Sequence, residues 1–250
     1  MKIILNIATH GDEKIGYKVL EEMEKLNTDK NIFAIQIANK KASDLNQRCV
    51  DQDLNRSFPG KKDGNHEERL AYRLSPIIKS ADVVIDIHST TSQLRDAVIV
   101  TKLDRKTLDY VKSIQPKYLL IMNATKNNAL ISQAKIGIGF EYGKDNQPRT
   151  LKETVLGIKR LFKHLGLIDS KLPKRKVVTN CFNVTSSVKK PLGYTLLKGI
   201  KNYQLVSSGT VYATNGKEDL VAKKDFYPIL FGEKKYKDIF GFSGKKINAK

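Results

Sequence analysis

The chain alternates short apolar runs with segments of helical period. Residues 2–8 hold Ile3-Ile4-Leu5-Asn6-Ile7-Ala8, a brief isoleucine-rich run that predicts a buried strand. Over 13–26 the residues Ile15, Val19, Leu20, Met23 and Leu26 recur at the spacing of one helix face, and 32–37 returns to strand. Strand, helix and strand in this order make a βαβ unit, which implies a parallel sheet with a right-handed crossover.

A polar stretch over 38–65 follows, too long for an ordinary connection in an α/β unit, so it predicts a functional loop. Helical period resumes over 67–80 with Leu70, Ala71, Leu74, Ile77 and Ile78, leading to a strand over 81–87 and to His88. Further strands are predicted over 97–100 and 118–122, with a helix over 106–113 between them. The segment 136–142 alternates with Gly137 and Gly139 and ends near Glu141, and a helix over 151–165 stops at Gly166. Beyond it the texture changes. Residues 171–176 are basic, contain Pro173 and suit a linker; short β-rich runs then cover 176–184, 194–197, 208–213, 220–222 and 227–231, with Gly193, Gly199, Gly209 and Gly216 as turns. The pattern predicts an α/β domain over residues 1–170 and a small β-rich domain over residues 174–250.

Composition narrows the class. With 40% hydrophobic and 28% charged residues the 250-residue chain is globular, and no apolar run approaches the roughly 20 residues of a membrane helix. The first run is too short for a signal peptide, and Asn183-Val184-Thr185 is therefore not taken as a glycosylation site. Two cysteines, Cys49 and Cys181, exclude a disulfide framework and suit a reducing cytoplasm. The net charge of +19 is concentrated towards the C-terminus, where residues 174–250 carry 16 basic and 5 acidic side chains. Lysines without aromatic interleaving read as a solvated surface, so neither membrane nor nucleic acid is expected as a partner.

The chemistry lies at strand ends. His10 and Glu13 end the first strand, one helical turn apart, and His88 ends another strand, so two strands deliver three potential zinc ligands to one sheet edge. Two histidines and a glutamate are a ligand set of catalytic zinc, which keeps an open position for water. Asp86 faces the same side as His88 and can orient it. The loop adds Arg48, Asn55 and Arg56, whose fork and amide groups suit a substrate carboxylate or a polarised carbonyl. Glu141, at the end of a glycine-flanked apolar run, is a candidate general base with its pKa raised by desolvation. His66, beside acidic residues at a helix start, and His164, in a last helical turn, are not assigned to metal.

His10-Gly11-Asp12-Glu13, Asp53-Leu54-Asn55-Arg56-Ser57-Phe58-Pro59-Gly60, Asp86-Ile87-His88-Ser89 and Phe140-Glu141-Tyr142-Gly143 occur in the order of zinc carboxypeptidase-like hydrolases. Among these the chain resembles the succinylglutamate desuccinylase/aspartoacylase family. The resemblance implies a zinc-carboxypeptidase-like α/β/α domain with a mixed sheet, followed by a small β-rich domain. It further implies one Zn²⁺ per chain on His10, Glu13 and His88, with Arg48 polarising the amide carbonyl and Asn55 and Arg56 clamping the α-carboxylate. Glu141 becomes general base and then acid, and Tyr236, in Gly232-Glu233-Lys234-Lys235-Tyr236-Lys237, closes over the substrate. One departure is visible: aspartoacylase-type enzymes carry an arginine about ten residues before the base, for the carboxylate of the departing acyl chain. This chain has Lys126-Asn127-Asn128-Ala129-Leu130-Ile131-Ser132 in that region, leaving Lys126 or Lys135 as substitutes.

The expectation is a cytoplasmic zinc-dependent amidohydrolase that cleaves a small anionic N-acyl amino acid by metal-activated water, with a homodimer as a candidate assembly. The alternatives are a zinc carboxypeptidase acting on short peptides, or a non-catalytic basic protein that binds nucleic acid on the same fold.

Overall fold

The structure, a computed structural model, describes residues 1–26, 33–125, 127–173, 175 and 179–248. In chain order the first half holds β1 (Ile3–Ile7), α1 (Ile15–Glu24), β2 (Phe33–Ile37), α2 (Lys40–Asp44), α3 (His66–Ser80), β3 (Val83–His88), β4 (Ala97–Val100), α4 (Arg105–Ile114) and β5 (Tyr118–Met122). The second half holds β6 (Ile136–Glu141), α5 (Pro148–His164), β7 (Asn180–Lys189), β8 (Thr195–Leu196), β9 (Val211–Thr214), β10 (Asp219–Val221), β11 (Tyr227–Ile229) and β12 (Ile239–Ile247). Two 3₁₀ turns, Leu54–Arg56 and Leu130–Gln133, border what becomes the cleft.

Nine strands form one sheet in the order β11-β12-β7-β5-β4-β6-β3-β1-β2. β2, β1, β3 and β6 are parallel, as the βαβ pattern predicts, but β4 runs antiparallel to β6, so the sheet is mixed. Alternation along the strands divides its two faces. Leu5, Ile85, Ile138 and Phe140 pack against α1, α4 and α5, whereas Ile4 and Val84 pack against α3 and the turn at Leu130. Each such large aliphatic side chain stabilises the fold by about 1.5–3 kcal/mol when fully buried. Because the side-chain period is two, Asn6, Asp86, His88, Gly139 and Glu141 all lie on the α3 face.

The sheet does not stop at the 170/174 boundary drawn from the sequence. β7 pairs in parallel with β5, and β12 and β11 extend the same sheet, whereas β8, β9 and β10 form a separate three-stranded sheet. The long strand β12 has no counterpart in the hydropathy pattern, because Gly241, Gly244 and Lys245-Lys246 interrupt its apolar run. Pairing with β7 defines it instead, with register shifts near Gly241 and Gly244. The predicted start of β7 at 176–178 lies outside the described residues, and the observed strand runs five residues beyond the expected end, to Lys189.

The 38–65 loop is ordered by one buried side chain. Glu67, at the start of α3, accepts from the backbone N–H of Val50 (2.6 Å), Asp51 (2.9 Å) and Gln52 (3.2 Å) and from Asn39 Nδ2 (2.9 Å). Burial works against its charge, but these donors outweigh it and hold the carboxyl below the usual range. This anchor fixes the base of the segment that carries Arg48, Asn55 and Arg56. No described helix is long and apolar enough to cross a membrane.

Candidate active site

The chain leaves β1 through Ala8, held at φ 55°, a left-handed conformation that costs a non-glycine residue energy and turns His10 toward the sheet edge. Gly11 follows, packed so closely on α2 that an added Cβ would stand 2.2 Å from the Ala42 carbonyl carbon. Its N–H donates to the Arg48 carbonyl at 3.1 Å, which ties the turn to the loop. Gly11→Ala is therefore expected to destabilise the chain by about 2 kcal/mol or more, because backbone and not a mobile side chain must yield; chemical unfolding measures this. The start of α1 is capped from a distance, by Asp145, which accepts from Lys14 N–H (3.1 Å) and Ile15 N–H (2.9 Å).

His10, Glu13 and His88 are all buried, and one potential ligand atom from each lies within 4.8 Å of the other two. Nδ1 of His10 is 2.8 Å from Glu13 Oε1, and Nδ1 of His88 is 2.9 Å from Glu13 Oε2. Burial opposes ionisation of Glu13, but the adjacent His10 and His88 outweigh it and keep the carboxyl well below the ordinary range. The far nitrogen of each ring meets another carboxylate: His10 Nε2 is 3.0 Å from Asp53 Oδ1, and His88 Nε2 is 2.8 Å from Asp86 Oδ2. Asp86, fully buried, accepts from Asn6 Nδ2 (2.6 Å) and Thr9 Oγ1 (2.8 Å). Imidazoles turned by carboxylates so that their other nitrogens meet the two oxygens of one glutamate match how zinc ligands are held. The donor set fits that metal.

Arg48 lies against this cluster, with Nη2 donating to Asp53 Oδ2 at 2.8 Å and Nη1 3.6 Å from Glu13 Oε1. Asn55 Oδ1 accepts from Leu130 N–H at 2.9 Å, which aims its amide Nδ2 at His88 Nε2, 3.3 Å away. The exposed Arg56 lines the same cleft and donates from Nη1 to the Asn55 carbonyl at 2.8 Å. Glu141 is paired in register with His88 across β3 and β6, so the two side chains stand side by side. Its Oε2 is buried without a hydrogen-bond partner. Burial, with His88 opposing and Glu13 and Glu233 adding to it, pushes its carboxyl up to about 8.

Tyr236 lines the cleft, carried by the 232–237 segment that the resemblance singled out. Glu233 accepts from Thr90 Oγ1 and Thr91 N–H, each at 2.7 Å, and from Thr91 Oγ1, which pins the segment to the loop after β3. Lys235 Nζ adds an ion pair to Asp12 at 3.0 Å, and Tyr236 N–H bonds the Glu233 carbonyl at 3.2 Å. Burial pushes the Tyr236 hydroxyl up, so it remains a proton donor. The cleft encloses about 720 Å³ of empty space counted with its open mouth.

Lys135 pairs with Asp82 at 2.9 Å at the opposite end of the strands from Glu141, so it supplies no charge to the cleft. Lys126 lies outside the described residues. His66 and His164 sit away from the cluster, His164 beside Asp109 at 2.8 Å. Asp53, Glu67 and Glu233 were missed as organising residues. Asp53 stood within a quoted motif, but its carboxylate joins His10 to Arg48 only once the loop is folded.

Comparison with known proteins gives consistent results. A sequence model of the succinylglutamate desuccinylase/aspartoacylase catalytic domain matches residues 1–165. An N-alpha-acetyl-L-2,4-diaminobutyric acid deacetylase of Halomonas elongata is 28% identical over 191 residues, covering 68% of this chain and 56% of that protein. A probable aspartoacylase of Acaryochloris marina is 33% identical over 165 residues, covering 57% and 55%. The chain thus spans about half the length of these curated relatives. Among solved structures, murine aminoacylase 3 superposes with a TM-score of 0.77 at 20% identity, over 99% of this chain and 95% of that one; it shares the fold.

Proposed function

The chain belongs to the succinylglutamate desuccinylase/aspartoacylase family, a family of N-acyl amino acid deacylases, and we propose that it hydrolyses the amide bond of a small anionic N-acyl amino acid. The observation that carries this reading is the unpartnered Glu141 Oε2, buried in the same cleft as the His10, Glu13 and His88 cluster. An idle carboxylate oxygen beside a metal-type donor set suits a group that takes up a proton during the reaction.

His10, Glu13 and His88 would hold one zinc ion, whose Lewis acidity, when bound, acidifies water and polarises a carbonyl. Asn55 and Arg56 bind the substrate's α-carboxylate through an amide N–H and a planar guanidinium fork, and so orient the amide in the cleft. Arg48, kept cationic by Asp53 and Glu13 despite burial, donates to the carbonyl oxygen as negative charge develops there. Glu141 accepts the proton of the attacking water and returns it to the leaving nitrogen, so that a neutral amine departs. Tyr236 covers the bound substrate from the Glu233-anchored segment and donates its hydroxyl proton to it. Two cysteines suit a reducing cytoplasm.

Arg56→Ala is expected to raise KM by about 10–100-fold with a smaller change in kcat, the range for losing a hydrogen bond to a charged group. Arg56→Lys should recover only part of this, because an ammonium lacks the fork. Release of free amine from N-acyl amino acids, assayed beside short peptides, tests the main reading. Preferential hydrolysis of the peptides would transfer the same residues to a carboxypeptidase.

A further inference from the structure

Polarity changes in one direction across the cleft. The metal-type donors stand in the turn after β1 and at the end of β3, Glu141 ends β6, and next across the sheet come β4 and β5, followed beyond β7 by β12. On that side the described lining is mostly hydrocarbon, with Ile99 on β4, Met122 on β5, Phe242 on β12, Ile131 on the 3₁₀ turn and Leu230; its polar groups are the hydroxyls of Thr101 and Thr125, and Thr125 Oγ1 is buried without a hydrogen-bond partner among the described residues. Every charged residue among the described lining lies in the turn after β1, on β3, on β6, on the 48–56 loop or at Glu233. Ile131 is buried and stands ten residues before Glu141 in the chain.

Gly139 forms the floor between the two regions. It lies two residues before Glu141 on the same face and opposite Ile99 in register. A Cβ at this position would stand 3.5 Å from Ile99 Cβ and 3.7 Å from Ile131 Cδ1, ordinary contact distances, so a methyl group fits there. What the glycine provides is open volume beside the base.

We propose that this end of the cleft receives an uncharged, apolar arm of the substrate, with Gly139 and Ile131 as specificity-determining residues. The inference rests on the deacylase reading and deepens it: one end of the substrate is a carboxylate bound by Asn55 and Arg56, and the group beyond the reacting amide is hydrocarbon. A second carboxylate in this chamber would lose its water and meet at most threonine hydroxyls, with no cation on this side of the described lining to offset its charge. Each buried methylene instead favours binding by about fourfold. The arm can come from the acyl chain or from the amino acid's side chain, and the substrates below distinguish these sources.

The test uses the full chain loaded with zinc and five amides: N-acetylglycine, N-hexanoylglycine, N-acetylleucine, N-succinylglycine and N-acetylaspartate. N-hexanoylglycine or N-acetylleucine is expected to exceed its charged counterpart, N-succinylglycine or N-acetylaspartate, by at least about tenfold in kcat/KM. Whichever apolar substrate leads identifies the source of the arm. Gly139→Ala should then lower the ratio of that substrate to N-acetylglycine. Equal or better hydrolysis of N-succinylglycine or N-acetylaspartate overturns the inference and leaves the deacylase reading standing. If none of the five is hydrolysed, the deacylase reading fails, and calorimetry of N-hexanoylglycine against N-succinylglycine decides the inference by itself. Tighter binding of the hexanoyl compound supports it; equal, weaker or absent binding overturns it.

Discussion

Glu141→Gln is expected to lower kcat by about 10²–10⁴-fold, the span of general acid–base catalysis, while metal content and unfolding midpoint stay near those of the parent chain. The substitution keeps shape and volume and removes only the capacity to take a proton. Its structural cost should be small, because among the described residues Oε2 has no hydrogen-bond partner to lose and no ion pair holds the side chain. The pH profile carries a second signature. Burial moves the Glu141 carboxyl up to about 8, and a dication held by His10, Glu13 and His88 would draw it back down by favouring the anion. The base is the deprotonated form, so kcat/KM of the parent should rise with pH through a limb below 8, and the variant should lack that limb. A variant with near-parental kcat and bound zinc would exclude Glu141 as the base.

The site's donors were legible in the sequence because each stands where an apolar run ends, and a period of two fixes which side chains share a face. His88 and Glu141 could be assigned to one sheet edge from hydropathy, and the register pairs them across β3 and β6. What stayed hidden depends on contacts between distant segments. Asp53 meets His10 across 43 residues, Glu67 gathers the backbone of Val50–Gln52 from 15 to 17 residues away, and Glu233 meets Thr90 across 143. A carboxylate in a motif or at a helix start looks alike whether it faces water or closes such a network. β12 was hidden for a related reason: its glycines and lysines weaken the local pattern, and β7 supplies its hydrogen bonds.

These networks also explain why the C-terminal strands matter to a cleft built by the first half of the chain. β12 contributes Phe242 to the apolar end, and the segment between β11 and β12 carries Leu230, Glu233 and Tyr236. The catalytic-domain match ends at residue 165, so part of the site lies beyond it. Variation in this later segment can therefore change which substrates fit while leaving the donors and Glu141 in place.

His88→Ala and Asp86→Asn should separate holding a metal from orienting its ligand. Removing the His88 ring takes away one of three donors and leaves Glu13 and Asp86 buried with their shared partner gone. Metal content measured under non-chelating conditions should fall well below one per chain, and the amidase activity should fall by at least about 10⁴-fold, since the Lewis acid itself is lost. Asp86→Asn keeps all three donors. It replaces the acceptor behind His88 Nε2 and the acceptor shared by Asn6 and Thr9 with a neutral amide, so the imidazole loses basicity and a fixed orientation. Metal affinity is expected to fall by about 10–100-fold, the usual effect of altering a carboxylate behind a ligating histidine. Excess zinc should restore most of the activity of Asp86→Asn and little of that of His88→Ala. Equal rescue of both would mean that His88 does not ligate, and no loss in either would remove the metal from the reaction.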